Sequence, residues 1–326
     1  MSNAGPVEHN LFQRLVIVGA GAVGGTIGAR LIHNQAAVAM VARGNHGQQI
    51  RQAGLRLRSP LETILVEVDC VDSIANVQWR PDDAVLLATK LQDARAAMDQ
   101  ILRYSANGEQ TVVICGSNGI QGEAWASERF LNVVSMLIWM PSTFLKPGEV
   151  SVFGQPVIGI LDCGPVDRTS QQAAQSSRQL VDWLRRAGFE SQNRDDIMRW
   201  KYAKWITNLG NAAQALVHDD WKKVAKLAQA EGVAVLQAAG IDHVQKSELM
   251  KRCQHFKLAT IDGQQRPGGS TWQSLHRDQP LETEWLEGAM AALAKQINVP
   301  TPVLDFLCQA AERRQPVSAI EVPGAS

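Results

Sequence analysis

The stretch Arg14-Leu-Val-Ile-Val-Gly-Ala-Gly-Ala-Val-Gly-Gly-Thr-Ile-Gly-Ala-Arg-Leu31 decides the fold of this chain. Its continuous apolar run, Leu15 to Val18, predicts a strand that is buried on both faces. Gly19, Gly21 and Gly24 follow with the spacing G-x-G-x-x-G, and an Ala/Ile/Leu-rich helical pattern comes next. A glycine motif between a strand and a helix indicates a dinucleotide site, whereas the motif alone indicates only a glycine-rich turn.

Each residue of this loop has a physical role in such a site. Gly19 allows the tight turn, Gly21 lets the backbone approach a pyrophosphate, and Gly24 lets the helix pack closely on the strand. Ala22 and Val23 lie at the helix N-terminus, where free N–H groups and the positive end of the helix dipole face a phosphate. We therefore predict that these five residues bind the cofactor.

The length and composition predict a two-domain globular protein. The chain has 326 residues, of which 45% are hydrophobic and 20% charged, with a net charge of zero and no basic block. This charge pattern argues against a nucleic-acid or anionic-membrane partner, and no apolar stretch is long enough to span a membrane. The five cysteines form no C-x-x-C pair, so we expect reduced thiols, a cytoplasmic location and no metal.

Polar residues follow three further predicted buried strands, 37–42, 83–89 and 110–115. They are Arg43, Lys90 and Asn118. The carboxyl ends of parallel strands form the edge at which ligands bind in open α/β sheets, so these residues are predicted to contact the cofactor.

Arg43 bears on the choice of cofactor. A site for NAD usually has Asp or Glu at this distance from the glycines, where it binds the ribose 2′-hydroxyl. A carboxylate repels a 2′-phosphate, whereas a guanidinium binds one with two parallel hydrogen bonds. Arg43 therefore predicts NADP(H), the alternative being an Arg that is only solvated at a strand end.

The hydrophobic pattern divides the chain into four parts. We expect an α/β fold: a Rossmann-type doubly wound sheet over 14–193 and an all-helical domain over 194–314, between a disordered leader (1–13) and a loose tail (315–326). Within the sheet domain, 55–57 and 63–68 predict a two-stranded ribbon, and 131–139 and 148–160 predict strands with antiparallel character. The helical domain contains three tryptophans that we expect either to form a homodimer face or to pack in the core of that domain: Trp221, Trp272 and Trp285.

The segment Trp200-Lys-Tyr-Ala-Lys-Trp-Ile-Thr-Asn-Leu-Gly-Asn211 is the second informative stretch. On one helix, Lys204, Asn208 and Asn211 share a face that lies among Trp, Ile and Leu. A buried lysine is costly, and desolvation lowers its pKa into a range that suits proton transfer. The plainer interpretation is a surface lysine beside two solvated asparagines. Farther on, Ser270 and Glu282 each begin a predicted helix, where a capping residue or a helix-dipole contact explains them without a function.

Together these stretches resemble the ketopantoate reductase (2-dehydropantoate 2-reductase) family from Arg14 to about Arg314. The resemblance rests on the glycine loop, Arg43, Lys90 in Ala-Thr-Lys-Leu and Asn118 in Ser-Asn-Gly. It also includes Lys204 with Asn208 four residues later, and Ser270 with Glu282 twelve residues later.

The family implies a small-molecule keto acid substrate, reduced between the two domains. It implies Lys204 as general acid and Asn118, Asn208, Ser270 and Glu282 as residues that hold the substrate. We expect Asn211 to bind substrate as well, and Glu282 to stabilise the charge distribution of the reaction.

Two positions depart from the family pattern. Asn211 comes seven residues after Lys204 rather than eight, and Thr-Trp-Gln-Ser follows Ser270 where an aliphatic run ending in Asp is usual. Two alternatives to a ketopantoate reductase therefore stay open. One is another NADP-dependent keto or hydroxy acid dehydrogenase, and the other is a non-catalytic NADP-binding regulator.

Overall fold

The structure is a computed structural model that describes residues 11–325. Its first part contains, in chain order, β1 (Arg14–Val18), α1 (Ala22–His33), β2 (Val38–Val41), α2 (Gly44–Ala53), β3 (Leu55–Arg58), β4 (Thr63–Val66), β5 (Asp69–Val71), β6 (Asp83–Leu87), α3 (Leu91–Tyr104), β7 (Val112–Cys115), α4 (Gln121–Ser127), β8 (Asn132–Trp139), β9 (Ser142–Lys146), β10 (Glu149–Val152), β11 (Gly154–Gln155), β12 (Ile160–Pro165) and α5 (Gln171–Arg186).

Seven of these strands form one sheet in the order β12-β8-β7-β6-β1-β2-β5. All neighbours are parallel except β12, which pairs antiparallel to β8 at the edge. Every residue of β1, β2, β6 and β7 is buried, as continuous apolar strands between two helical layers require. The predicted Rossmann-type sheet is confirmed, and the carboxyl ends of its parallel strands lie at one edge.

A second sheet of four strands, in the order β4-β3-β10-β9, covers α1 on the side away from the first sheet. The predicted ribbon is its β3–β4 pair. The strand predicted over 148–160 is instead divided among β10, β11 and the beginning of β12, and β8 is antiparallel only to β12. The single strand is wrong because β10 pairs with β3 and β9 in the second sheet, whereas the predicted antiparallel character is confirmed by the β10–β9 and β12–β8 pairs.

The second part is helical. Its elements are α6 (Ile197–Asn208), α7 (Asn211–Leu216), α8 (Trp221–Ala238), α9 (Lys246–Cys253), β13 (Lys257–Leu258), α10 (Ser270–His276), α11 (Glu287–Gln296) and α12 (Pro302–Arg313). Its core forms around Trp205 and the apolar faces of α7, α8, α11 and α12. The two-residue strand β13 is an exception to the expected all-helical pattern, and it pairs with β11 of the first part. Within residues 11–325, no helix has the length and hydropathy to cross a membrane.

Both expected loose ends contain ordered residues. Phe12 of the predicted leader is buried and packs edge-on against Trp183, while residues 1–10 lie outside the described range. The tail forms a 3₁₀ turn whose Ala319 packs in the helical core, and Asp219 accepts hydrogen bonds from the Ser318 hydroxyl and the Ala319 N–H. The expectation of a loose tail is wrong because its small apolar residues bury against the helices.

Candidate active site

A cavity of about 620 Å³ lies between the carboxyl edge of the large sheet and the helical part. Most of the predicted site residues line it: Gly21, Ala22, Val23, Lys90, Asn118, Lys204, Asn208, Asn211, Ser270 and Glu282. Gly19, Gly24 and Arg43 do not. The fold thus brings residues that are far apart in the sequence to one cavity.

The glycine loop has the shape that a dinucleotide site needs. Gly19 has a φ of +102°, and a Cβ there would lie 2.8 Å from the Ala88 carbonyl oxygen. A Cβ on Gly24 would lie 2.0 Å from the Gly19 oxygen, so that position permits only glycine. A Cβ on Gly21 would meet no protein atom within 4 Å. Gly21 therefore leaves open space in front of the backbone at the beginning of α1, and that space fits a pyrophosphate.

His46 holds this loop in place. Its Nδ1 accepts a hydrogen bond from the Gly148 N–H at 2.9 Å, so Nε2 carries the proton and donates to the Ala20 oxygen at 2.7 Å. Burial lowers the pKa of His46 and favours this neutral form. The ring also packs against Phe144, with 4.1 Å between centroids. His46 therefore connects the glycine loop to the second sheet.

Arg43 lies at the carboxyl end of β2, immediately before α2. Its side chain is 72% exposed and its Nη2 lies 3.1 Å from an Asp93 carboxylate oxygen. An exposed ion pair of this kind contributes little, so a phosphate can replace the carboxylate at small cost. The position fits the predicted 2′-phosphate contact, although Arg43 lies outside the cavity.

Lys90 and Glu282 connect the two parts at the cavity. Lys90 Nζ donates to the Pro280 oxygen at 3.0 Å, and Glu282 accepts a hydrogen bond from the Leu91 N–H, at the beginning of α3, at 3.3 Å. Burial raises the pKa of Glu282, while the Leu91 N–H and the Lys90 charge oppose that rise. In this structure the Glu282 carboxylate therefore caps a helix of the sheet part while it also faces the cavity.

Lys204 extends from α6 into the cavity, and its Nζ lies 4.0 Å from the centroid of the Trp139 ring. Burial lowers its pKa to about 8, and the nearby positive charges of Arg266 and Lys201 act in the same direction. The Cys253 thiol opposes them. A lysine with this pKa is largely protonated at neutral pH and still gives up its proton readily, which suits a general acid.

The three residues expected on one helical face belong to two helices. α6 ends at Asn208 and α7 begins at Asn211, so the expectation of a single helix is wrong. A Cβ on Gly210 would lie 2.9 Å from the Ala225 Cβ, so this position packs closely on α8. The side chain of Glu287 accepts the Ala212 N–H at 3.1 Å and holds the first turn of α7. Both asparagines nevertheless line the cavity.

One hydrogen bond joins the sheet part to the helical part at the site, and Ser270 lines the cavity from the helical part. Asn208 Nδ2 donates to Asn118 Oδ1 at 3.2 Å and joins the helical part to the loop after β7. Ser270 is the first residue of α10, and Gly269 occupies the cap position without a side-chain cap. Ser270 is therefore not the capping residue, and it lines the cavity.

The sequence reasoning missed a buried ion pair beneath the site. Lys201 Nζ lies 2.9 Å from a Glu123 carboxylate oxygen and donates to the carbonyl oxygens of Ser117 and Met136 at 2.8 and 3.2 Å. Glu123 also accepts the Ser135 hydroxyl at 2.7 Å. The pair fixes the loop that carries Asn118. Its sequence signal was a second lysine in the Trp-rich helix, one turn before Lys204.

The reasoning also missed Arg266, which lies on the loop before α10 and lines the cavity. No periodic pattern surrounds it in the sequence, so only the structure reveals its position. Across residues 11–325, no cluster of three His, Cys, Asp or Glu side chains could bind a metal ion.

Comparison with known families gives two matches along the chain. The family described as "Ketopantoate reductase PanE/ApbA" matches residues 15–165, and its C-terminal domain, "Ketopantoate reductase PanE/ApbA C terminal", matches residues 196–315. A 2-dehydropantoate 2-reductase from Pyrococcus horikoshii is 24% identical over 309 residues, which covers 90% of this chain and 95% of that relative.

Solved structures share the fold. A PanE/ApbA family ketopantoate reductase from Ralstonia eutropha JMP134 has a TM-score of 0.75 at 23% identity, covering 92% of this chain and 97% of that one. The ternary structure of D-mandelate dehydrogenase with NADH and anilino(oxo)acetate has a TM-score of 0.76 at 21% identity, covering 92% and 98%. At these identities the structural likeness shows the fold alone.

Proposed function

Because this chain belongs to the ketopantoate reductase family and is an oxidoreductase, we propose that it reduces a 2-keto acid with NADPH. The first candidate substrate is 2-dehydropantoate, which would be reduced to pantoate. We also propose that residues 14–193 form the cofactor domain and residues 194–314 the substrate domain. One observation carries the proposal: a single cavity holds the open space at Gly21 and the desolvated Lys204.

The loop residues Gly21, Ala22 and Val23 would hold the pyrophosphate of the cofactor at the N-terminus of α1. Arg43 would bind the 2′-phosphate after releasing Asp93, and Lys90 and Asn118 would contact the cofactor from the next two strand ends. When bound, NADPH supplies a hydride to the ketone carbon.

The chain itself supplies position and a proton. As the ketone oxygen gains negative charge, the protonated Lys204 stabilises that charge and then donates its proton to the oxygen. Asn208, Asn211 and Ser270 would hold the substrate through hydrogen bonds. Asn118 would join them through its contact with Asn208, and Glu282 would bind a substrate hydroxyl and help to hold the charge distribution of the reaction.

A second candidate is a dehydrogenase for a bulkier 2-keto or 2-hydroxy acid. Three aromatic side chains line the cavity, Trp139, Phe144 and Phe256, and they offer a wide apolar surface to a substrate. A solved structure with this fold is that of D-mandelate dehydrogenase. This observation favours testing aromatic as well as branched aliphatic keto acids.

The test is a steady-state assay of NADPH and NADH oxidation with 2-dehydropantoate, phenylglyoxylate and unbranched 2-keto acids. We expect saturable turnover with at least one acid and a lower kcat/KM with NADH. The acid with the highest kcat/KM decides between the two candidates. Tight NADPH binding without turnover of any acid would contradict the proposal and favour the non-catalytic regulator.

A further inference from the structure

Arg266 is half-buried in the cavity wall and differs from two arginines that are buried near the sheet. Arg14 donates from Nε and Nη2 to the two carboxylate oxygens of Asp83, both at 2.8 Å. Arg252 forms the same fork with Asp162 at 3.0 and 2.7 Å. Within residues 11–325, no carboxylate lies within ion-pair distance of Arg266, and its buried Nε has no hydrogen-bond partner.

The pKa values of these three arginines differ according to whether a carboxylate is paired with the guanidinium. Hydrogen bonds to Asp83 raise the pKa of Arg14, and burial lowers the pKa of Arg252 but is outweighed by Asp162 and Glu190. Arg266 has no such partner, and burial lowers its pKa to about 10. A partly desolvated guanidinium without an anion is costly, so its position in a cavity points to an anionic ligand.

Arg266 is also dispensable for the contact it makes with the protein. Its Nη2 lies 3.4 Å from the Ser142 carbonyl oxygen, a long hydrogen bond. Gln273 Nε2 donates to the same oxygen at 3.2 Å. The backbone of β9 therefore keeps a donor if Arg266 is removed, and a purely structural role explains little of its burial.

We propose that Arg266 binds the carboxylate of the substrate and so orients the neighbouring ketone toward Lys204. In a 2-keto acid the carboxylate carbon is bonded directly to the ketone carbon, and Arg266 and Lys204 line the same cavity. A guanidinium fork can hold the carboxylate with two parallel hydrogen bonds. The proposal rests on the proposed function for the ketone, while anion binding at Arg266 can be tested without it.

The bound carboxylate has a second consequence for Lys204. The charge of Arg266 is among those that lower the pKa of Lys204, together with Lys201, while Cys253 raises it. A substrate carboxylate on Arg266 would offset that charge and favour the protonated ammonium. Substrate binding would therefore help to keep Lys204 protonated until it donates its proton to the ketone oxygen.

The experiment compares each substrate with its uncharged amide in wild-type protein, Arg266→Met, Arg266→Lys and the control Arg277→Met. Arg277 also lines the cavity, but it donates to the Phe144 oxygen at 3.1 Å and lies over the Phe144 ring. We expect wild type to favour the acid over the amide by roughly 10²-fold in kcat/KM. That preference should disappear in Arg266→Met, return in part in Arg266→Lys and persist in Arg277→Met.

A binding measurement separates this proposal from the proposed function. Oxamate resembles a 2-keto acid in shape and charge, and its Kd by calorimetry requires no turnover. We expect Arg266→Met to weaken oxamate binding by roughly 10²-fold and Arg277→Met by much less. Unchanged oxamate affinity and an unchanged acid-to-amide ratio would overturn the role of Arg266. If the wild type binds oxamate but reduces no keto acid, and Arg266→Met weakens oxamate binding, then the proposed function is wrong and anion binding at Arg266 is supported.

Discussion

Lys201 and Lys204 lie three residues apart on α6 and have opposite surroundings. The side chain of Lys201 is 3% exposed and contacts Glu123 and two backbone carbonyl oxygens within 3.2 Å. Lys204 faces the cavity, with a tryptophan ring beneath its ammonium and with Arg266 and Lys201 nearby. The first lysine holds the loop at Asn118 in place, and the second keeps an ammonium ready to exchange a proton.

The comparison shows that residue type and burial alone do not identify a reactive lysine. What separates the two is whether the protein supplies an anion. A charge that is paired inside the protein stabilises one conformation, whereas an unpaired charge in a cavity is available to bind a ligand or to take part in a reaction. By this criterion Arg266 resembles Lys204, because no carboxylate of the described residues pairs with it. Arg43 is intermediate, because it is paired with Asp93 but the pair is exposed to solvent.

The largest effect is expected from Lys204→Met, which removes the proposed acid and keeps most of the bulk. We expect kcat to fall by roughly 10²–10⁴ because the variant lacks the proposed proton donor. The Kd for NADPH should change little, since the glycine loop and Arg43 belong to the other part of the chain. Wild-type turnover in this variant would make Lys204 structural and leave Lys90 as the next candidate.

Lys201→Met tests the other half of the comparison. It leaves Glu123 buried without its counter-charge, and we expect the free energy of unfolding to fall by about 3–5 kcal/mol, measured by denaturant titration. The double variant Lys201→Met/Glu123→Leu removes both charges and should recover most of that loss. If the single variant is as stable as the wild type, the pair does not hold this region together.

Much of this arrangement could be predicted from the sequence because it depends on local patterns. The spacing of Gly19, Gly21 and Gly24 after an apolar run specifies strand, turn and helix together. Lys204 and Asn208 are conspicuous because polar residues are costly among Trp and Ile. These signals lie within one helix or one turn.

The remainder depends on contacts between distant segments. Asn211 begins a new helix because Gly210 packs on α8 and Glu287 holds the next turn. Arg266 is notable only because no carboxylate from any other described segment reaches it, and no local pattern encodes that fact. Likewise, the tail packs because Asp219, far away in the sequence, caps its short turn.

Arg43→Ala tests the intermediate case. Removing a charge-assisted bidentate contact should weaken NADPH binding by about 1.5–3 kcal/mol and leave NADH binding nearly unchanged. The matched control is Asp93→Asn, which frees Arg43 from its ion pair and should leave or improve the affinity for NADPH. Equal losses for both cofactors in Arg43→Ala would show that Arg43 does not contact the 2′-phosphate.

The smallest effect concerns pH and uses Lys204→Met again. Since the folded-state pKa of Lys204 is lowered from 10.5 to about 8, the unfolded chain binds more protons between these values, and this group makes stability rise with pH across that window. Below pH 8 the unpaired ammonium is a cost, so Lys204→Met should be more stable than the wild type near pH 7, by on the order of 1 kcal/mol. That difference should shrink between pH 8 and 10.5. In the same window the reduction rate of the wild type should fall as pH rises through about 8, because the acid form is lost. A variant that is less stable than the wild type at pH 7, with a pH-independent difference, would mean that Lys204 is paired like Lys201 and would remove the contrast between them.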